Sequence, residues 1–547
     1  MAIKTVETKD GLQKQQTLGS LRLRNHETNE IILIPTPSDD PNDPLNWSRA
    51  YRYYLAILLS LAIFFSNFLA AGPSVSMVEI TTDFFGPPGP KFESYIAKAS
   101  YFFTTTSLLQ GMSNLIWMPL IVKFGRRPIY VTSFVLYTAC AAWAGGATSY
   151  GSHLTARILM GAGAGASETL APLTISDIFF LHERGTIMAI YTCFLGAGVG
   201  GGILVCGLIS ISLDWRYCYW VAVALIGAAT LLIILTFPET EYERGPVTAS
   251  ESDSAKEVEL GKGEAEGAGF SVASRIETAT SATTRPPPAK RSFVRDLRIF
   301  SGVHTKESLW KMFWRPCVML FLPPVFWATL VMAVTIGFLV AISSNFASAF
   351  ATAYHFEPYQ AGLCFISSII GSLIGIFFGG HFSDWVADYL TKRNGGVREP
   401  EMRLPAVMIS VVTAPLALVL YGEGIGLELH WMCATIGLGL LNFSIVQATN
   451  VSLVYTIDAY RPVAGEVTVT QFAFKSAFGF LLSFYTNPWI SQSGYERAFG
   501  AMAGIAGAVM LGWIPFYIWG KRIRHATWQW GFVRRMAHWH EDREVGE

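Results

Sequence analysis

The chain has 547 residues, of which 51% are hydrophobic and only 15% charged, and its forty basic and forty acidic side chains give a formal net charge of +0. A soluble domain carries about 25% charged residues, so composition excludes an ordinary water-soluble protein, and the balanced charge offers no footprint for nucleic acid. Mean hydropathy is +0.37, and apolar runs of about 20 residues, each long enough to cross a bilayer, recur along the chain.

Residues 1–40 are polar and without periodicity, which predicts a disordered stretch within an N-terminal tail of residues 1–50. Trp47, Tyr51, Tyr53 and Tyr54 then suit the water–lipid boundary at the mouth of a first span. Spans are predicted at about 54–72, 97–119, 129–148, 153–178, 186–211 and 216–236. A polar stretch over 238–312, rich in Ser, Thr and Ala and ending near Pro286, Pro287 and Pro288, cannot bury enough surface to fold alone and reads as a linker. Six more spans follow at about 317–344, 359–382, 405–422, 431–457, 466–488 and 497–519, then a basic, aromatic tail over 521–547. The expected fold is an all-α membrane protein of twelve transmembrane helices in two pseudo-symmetric six-helix bundles, 51–237 and 313–520. The lipid bilayer is its surroundings. Seven cysteines in no metal-ligand spacing read as small apolar side chains.

Lys123, Arg126, Arg127, Arg184, Lys392, Arg393, Arg398, Arg403 and Arg461 fall in or beside loops on the side shared with both termini. The opposite loops hold Lys91, Lys98, Arg216 and Arg497. The excess of basic residues predicts cytosolic termini and a cytosolic linker.

The fourth span carries two ionisable side chains in an apolar, glycine-rich setting: Arg157 and Glu168, with Gly161, Gly163 and Gly165 between them. Eleven residues at about 100° each bring both to one face. Charges at this depth usually face a protein interior or a watery cavity, and the glycines let a second helix come close. Two readings stand: a helix lining a solute path, or a structural ion pair with an arginine reaching for the membrane surface. Lys475 in the eleventh span is a third such charge, placed to neutralise a buried acid or to snorkel. Asn67, Asn345, Asn442, Gln447 and Asn450 are uncharged polar groups inside spans. Helix-to-helix hydrogen bonds explain many such residues, but Asn67 and Asn345 sit in matching tripeptides, Ser66-Asn67-Phe68 and Ser344-Asn345-Phe346. Asp177 and Asp458 likewise end the fourth and tenth spans. These echoes point to duplicated halves, a plan that places a substrate site between them.

Several motifs carry a resemblance to a known family. They are Asp43 to Ser48 before the first span, Gly125-Arg126-Arg127 after the second, and Arg157, Gly161 and Gly163 in the fourth. Asp177 with Glu183-Arg184-Gly185, Asp214-Trp215-Arg216, Phe237-Pro238-Glu239-Thr240, and Gly380 to Asp384 complete the set. In these the chain resembles the major facilitator superfamily, and within it the fungal twelve-span drug:proton antiporters, over about residues 40–525. Two positions depart from the pattern. The loop aspartate of the first half falls on Val122, and the fifth span holds Gly196, Gly198, Gly200, Gly201 and Gly202 without the antiporter proline. Arg398 to Pro405 and Ile457 to Tyr460 look more like the branch with polyamine and organic-cation importers.

The resemblance implies a proton-coupled secondary transporter. It would move small organic solutes, cationic or amphipathic, by alternating access at the plasma membrane. It would act as a monomer and take its energy from a proton gradient without a cofactor. Arg157, Glu168, Lys475, Asn67, Asn345, Gln447 and Asn450 are the candidates for the substrate and proton pathway. Arg126, Arg127, Asp177, Arg184, Asp384, Arg393 and Asp458 are the candidates for a cytosolic gate of breakable ion pairs, with Asp177 the preferred partner of the Arg126–Arg127 pair. The plainer reading of the second group is that its charges only set topology. A membrane enzyme and a non-transporting nutrient sensor are the rival functions. Scattered histidines without a metalloprotease spacing, and the lack of a Gly-x-x-x-x-Gly-Lys-Ser/Thr loop, weigh against catalysis and ATP drive.

Overall fold

The computed structural model describes residues 21–22, 37–38, 40–242, 296–298, 300, 302–303, 305, 307–528, 530, 531 and 533. Most of the expected N-terminal tail, linker and C-terminal tail lies outside them. The first half runs α1 (Arg49–Ala71), a 3-10 turn (Gly72–Ser76), α2 (Met77–Phe85), α3 (Phe92–Met112), α4 (Asn114–Phe124), α5 (Arg126–Gly146), α6 (Tyr150–Ile178), α7 (Leu181–Ile209) and α8 (Arg216–Thr236). The second half begins with α9 (Leu309–Met319), α10 (Pro323–Ser343), α11 (Phe346–Tyr354), α12 (Pro358–Cys364) and α13 (Ile366–Ile376). A π-helical turn (Phe377–Phe382) leads into α14 (Ser383–Arg393), and a 3-10 segment (Pro400–Val407) into α15 (Met408–Gly426). The last helices are α16 (Met432–Ala459), α17 (Ala464–Leu511) and α18 (Trp513–Trp528).

Nine stretches among the described residues are long and apolar enough to cross a bilayer, against twelve expected. One of them, Ala464–Thr527, has 64 residues, far beyond the roughly 20 that a bilayer needs. It turns back at Gly494, whose φ of 79° is a conformation that suits glycine. The α3–α4 pair is divided at Ser113, and α6 is filled with Gly, Ser, Thr and two charges, so neither reads as a simple apolar run. Twelve crossings are consistent with this geometry.

Two apolar cores form, one mainly in each half, and each takes in some side chains of the other half. Phe134, Tyr137 and Tyr219 mark the first, and Trp327, Tyr421 and Phe499 the second. The outer surface keeps large apolar side chains such as Leu231, Leu373, Val412 and Ile518 exposed, which suits contact with lipid tails. The halves meet along two seams, α7 against α12, α13 and α16, and α3 against α17. The first seam runs from Gly207, beside Gly362, to Gly185, beside Asp384. The second runs from Tyr101, 5.3 Å from Phe484 between ring centres, to Met118, beside Gly465. The two halves are thus in contact at both ends of each seam.

Residues 238–242, expected at the start of the linker, pack on the first half. The Glu239 carboxylate accepts hydrogen bonds from the backbone N–H groups of Arg126 (3.0 Å) and Arg127 (3.2 Å). It caps α5, where unpaired N–H groups and the helix dipole favour an anion.

Candidate functional site

A cavity of about 40 Å³ lies between the halves. A water needs roughly 10–15 Å³ of such volume, so there is space for a few waters and none for an organic solute. Asn67, Ala70 and Ala71 of α1, Phe103, Ser107 and Gln110 of α3, Glu168 of α6, and Leu195, Gly196 and Val199 of α7 line it from the first half. Ile336, Leu339, Val340 and Ser343 of α10, Ile445 of α16, and Lys475 and Ser476 of α17 line it from the second.

At its centre the Lys475 ammonium donates to Glu168 Oε1 at 2.8 Å. The Glu168 side chain is 2% exposed and that of Lys475 5%. Gln110 Nε2 donates to the same oxygen at 3.0 Å and to Asn67 Oδ1 at 3.2 Å. Glu168 Oε2 is buried and has no hydrogen-bond partner among the described residues. Tyr191 holds the Glu168 backbone, its hydroxyl donating to the carbonyl at 3.0 Å.

Close helix packing brings these groups together. A Cβ on Gly165 would meet the Gln110 carbonyl of α3, and one on Gly111 would overlap Ser476 and crowd the Phe472 carbonyl of α17. Small residues let the backbones approach, and Lys475 follows onto Glu168. Of the two choices open for Lys475, the structure shows the buried acid.

Arg157 is placed otherwise than expected. It is buried, 1% exposed, but it is not among the cavity's lining residues. Its guanidinium donates to three backbone carbonyls, Leu69 (2.7 Å), Ala70 (2.9 Å) and Phe102 (3.1 Å). The first two lie in the last turn of α1. Pro73, four residues after Leu69, has no N–H to continue the ladder, and Arg157 supplies the missing donor. A cation here also complements the C-terminal end of the α1 dipole. One helical face holds both charges, yet eleven residues of rise, about 16 Å, put them at different tasks.

Three of the polar candidates also lie away from the cavity. Asn345 donates to Asn487 at 2.8 Å and accepts from Tyr495 at 3.1 Å, all within the second half, so its match to Asn67 is one of sequence only. Gln447 donates to the Ala406 carbonyl at 2.6 Å and accepts from the Ser410 hydroxyl, joining α16 to the α15 side. Asn450 bridges the halves away from the cavity, donating to Gly379 O at 2.8 Å and Gly185 O at 3.3 Å. Gly379 lies in the π-helical turn, a distortion that frees backbone groups for such use.

At the basic-loop face, Arg126 reaches Asp177 at 3.2 Å and Glu241 at 2.9 Å. Arg127 turns inward to the Ile234 carbonyl at 2.7 Å. Arg184 donates to the carbonyls of Ser176 and Phe179, capping the end of α6. In the second half Arg393 does not serve Asp384. It stacks over Tyr389, 5.0 Å from the ring centre, while Asp384 pairs with Arg403 at 2.8 Å and Arg398 at 3.8 Å. Asp458 lies beside Arg461 and Arg398. Most of these charges therefore tie helix ends within one half.

Asp384 is the exception. Thr186 of α7 donates to it at 3.4 Å across the seam. A Cβ on Gly185 would overlap the Asp384 carboxylate and come within 2.6 Å of Arg403 Nη1. Gly185→Val is expected to part the halves at this face. Spin labels on Lys123→Cys and Lys392→Cys should then report a longer distance by electron–electron resonance, and an unchanged distance would show that the seam yields elsewhere.

Gln110 and Glu239 were not singled out by sequence. Gln110 is an amide in an apolar stretch, a signal available but shared with many helix-packing residues. Glu239 stood inside a recognised motif, yet its capping role needs α5 beside it in space.

A family model described as the Major Facilitator Superfamily matches residues 55–465. Over 524 aligned residues the chain is 24% identical to an uncharacterised MFS-type transporter of Schizosaccharomyces pombe, with 91% of this chain and 89% of that one covered. It is 25% identical over 547 aligned residues to Protein HOL1 of Saccharomyces cerevisiae, covering 91% of each. Among solved structures, the proton:xylose symporter XylE bound to 6-bromo-6-deoxy-D-glucose superposes with a TM-score of 0.57, over 86% of this chain and 97% of that one. The identity of 14% makes this a likeness of fold alone. The family profile over most of the length, with helices arranged in that family's manner, shows that the chain belongs to the major facilitator superfamily and is a multi-pass secondary transporter, not an enzyme.

Proposed function

We propose that the chain is a proton-coupled carrier of small organic cations that works by alternating access. The observation that carries this reading is Glu168, a buried carboxylate on the cavity between the halves, with one oxygen paired and the other unpartnered. A carboxylate there accepts either a proton or a cation. As the halves rock, it meets water first from one face and then from the other. Gln110 and Asn67 orient it, and Phe103 offers an aromatic face for the apolar part of a cation. Arg157 holds the end of α1 against α3 and α6, so Asn67 keeps its place. The basic-loop face, with Arg126, Asp177 and Asp384, is the cytosolic gate in this reading.

Flux in reconstituted vesicles tests it. A panel of organic cations, anions and neutral solutes would be followed with and without an imposed pH gradient. Accumulation of cations that rises with the gradient and collapses on adding a protonophore is expected. Transport indifferent to the gradient, or restricted to anions, would remove the reading.

A further inference from the structure

Lys475 differs from Arg157, also buried, in how it is held. Arg157 is fixed by three carbonyls. The one hydrogen bond of Lys475 among the described residues is to Glu168, and its ammonium also rests over the Phe472 ring at 4.6 Å. Its flexible four-carbon stem and single anchor suit a group that moves aside. The pair also joins the two halves, Glu168 on α6 and Lys475 on α17. The cavity around it, about 40 Å³, is too small for cargo, so this closed form is the cargo-free one.

We propose that Lys475 is a built-in stand-in for cargo, its ammonium occupying on Glu168 the place that a substrate cation takes, so that the carrier can close and return without cargo. The proposal rests on the reading of Glu168 as the cargo and proton acceptor. Closing a small cavity around a carboxylate without a cation is unfavourable, because the single amide donor Gln110 does not replace its full hydration. Lys475 removes that obstacle in the cargo-free carrier. An incoming cation first meets the unpartnered Oε2 and then displaces the ammonium from Oε1. The charged and titratable groups that face Glu168 are Lys475 from α17 and Tyr191 from α7, while α1 and α3 present the neutral amides of Asn67 and Gln110.

Distances between spin labels test this in the full-length chain without cargo. One pair, Lys123→Cys with Lys392→Cys, reports the basic-loop face, and another, Thr148→Cys with Leu429→Cys, the opposite face. At neutral pH the unaltered pair should keep both distances short. Lys475→Ala should open one face, with the closed fraction falling about tenfold. It should close again on adding methylammonium. Glu168→Gln, which strands the ammonium, should open as well and should not close on adding methylammonium. The charge-neutral double variant, Glu168→Gln with Lys475→Ala, should stay closed and ignore methylammonium. If Lys475→Ala does not fold, Glu168→Gln alone decides. Closure of either single variant, or no response of Lys475→Ala to methylammonium, would overturn the stand-in. No transport is measured, so a carrier that closes as described yet moves no organic cation would sink the proposed function and leave this result standing.

Discussion

Glu168→Gln is expected to abolish pH-driven accumulation while the protein still folds and reaches the membrane. The amide has nearly the same shape and can still accept from Gln110. It carries no charge and exchanges no proton at physiological pH. Hydrogen bonds to charged groups are worth about 1.5–3 kcal/mol net, so the affinity for an organic cation should fall roughly 10- to 150-fold. The loss of coupling should be larger, because the carboxylate that takes the proton in this reading is then gone from the cavity. The measurement is cation uptake into vesicles at a fixed pH gradient, normalised to inserted protein. Glu168→Asp should recover part of the coupled flux, since the charge returns on a shorter stem. Unaltered gradient-driven uptake in Glu168→Gln would remove this residue from the mechanism.

The second large effect concerns the other charge on α6, and its sign is different in kind. Arg157→Met should cost stability first. It leaves the carbonyls of Leu69 and Ala70, at the end of α1, without their Arg157 donor in a buried setting, while the Phe102 carbonyl keeps the Thr106 hydroxyl. An unsatisfied buried polar group costs about 1–3 kcal/mol, so the loss is expected to be on the order of 4 kcal/mol. Thermal unfolding followed by size-exclusion chromatography should show a lower midpoint and a smaller folded fraction, together with any loss of transport. Arg157→Lys should rescue little, because one ammonium cannot span three carbonyls as a guanidinium fork does. A stable Arg157→Met variant with normal folding and no coupling would return Arg157 to the proton pathway.

The contrast between these variants shows where sequence reading stopped. Both charges stood out in one apolar segment, and the helical period correctly set them on one face. Their separate duties could not be read, because the partners of Arg157 are backbone carbonyls, which every residue possesses. Pro73 was the one local sign that the end of α1 would lack a donor. Asp384 gives a second case. Arg393, nine residues away, and Arg403, nineteen residues away, were equally basic in sequence, and the fold of the 3-10 segment after α14 brought Arg403 in.

What the sequence by itself determined was the membrane-spanning class, the family through its motifs, and the identity of Arg157, Glu168 and Lys475 as charges within the fourth and eleventh spans. Those follow from local properties: hydropathy, periodicity and residue type along one helix. Which charge meets which was decided only by the tertiary structure. Lys475 and Glu168 lie 307 positions apart and in different halves. Their contact exists because α17 can press against α3 at Gly111, and α3 against α6 at Gly165, where side chains would have kept the backbones apart.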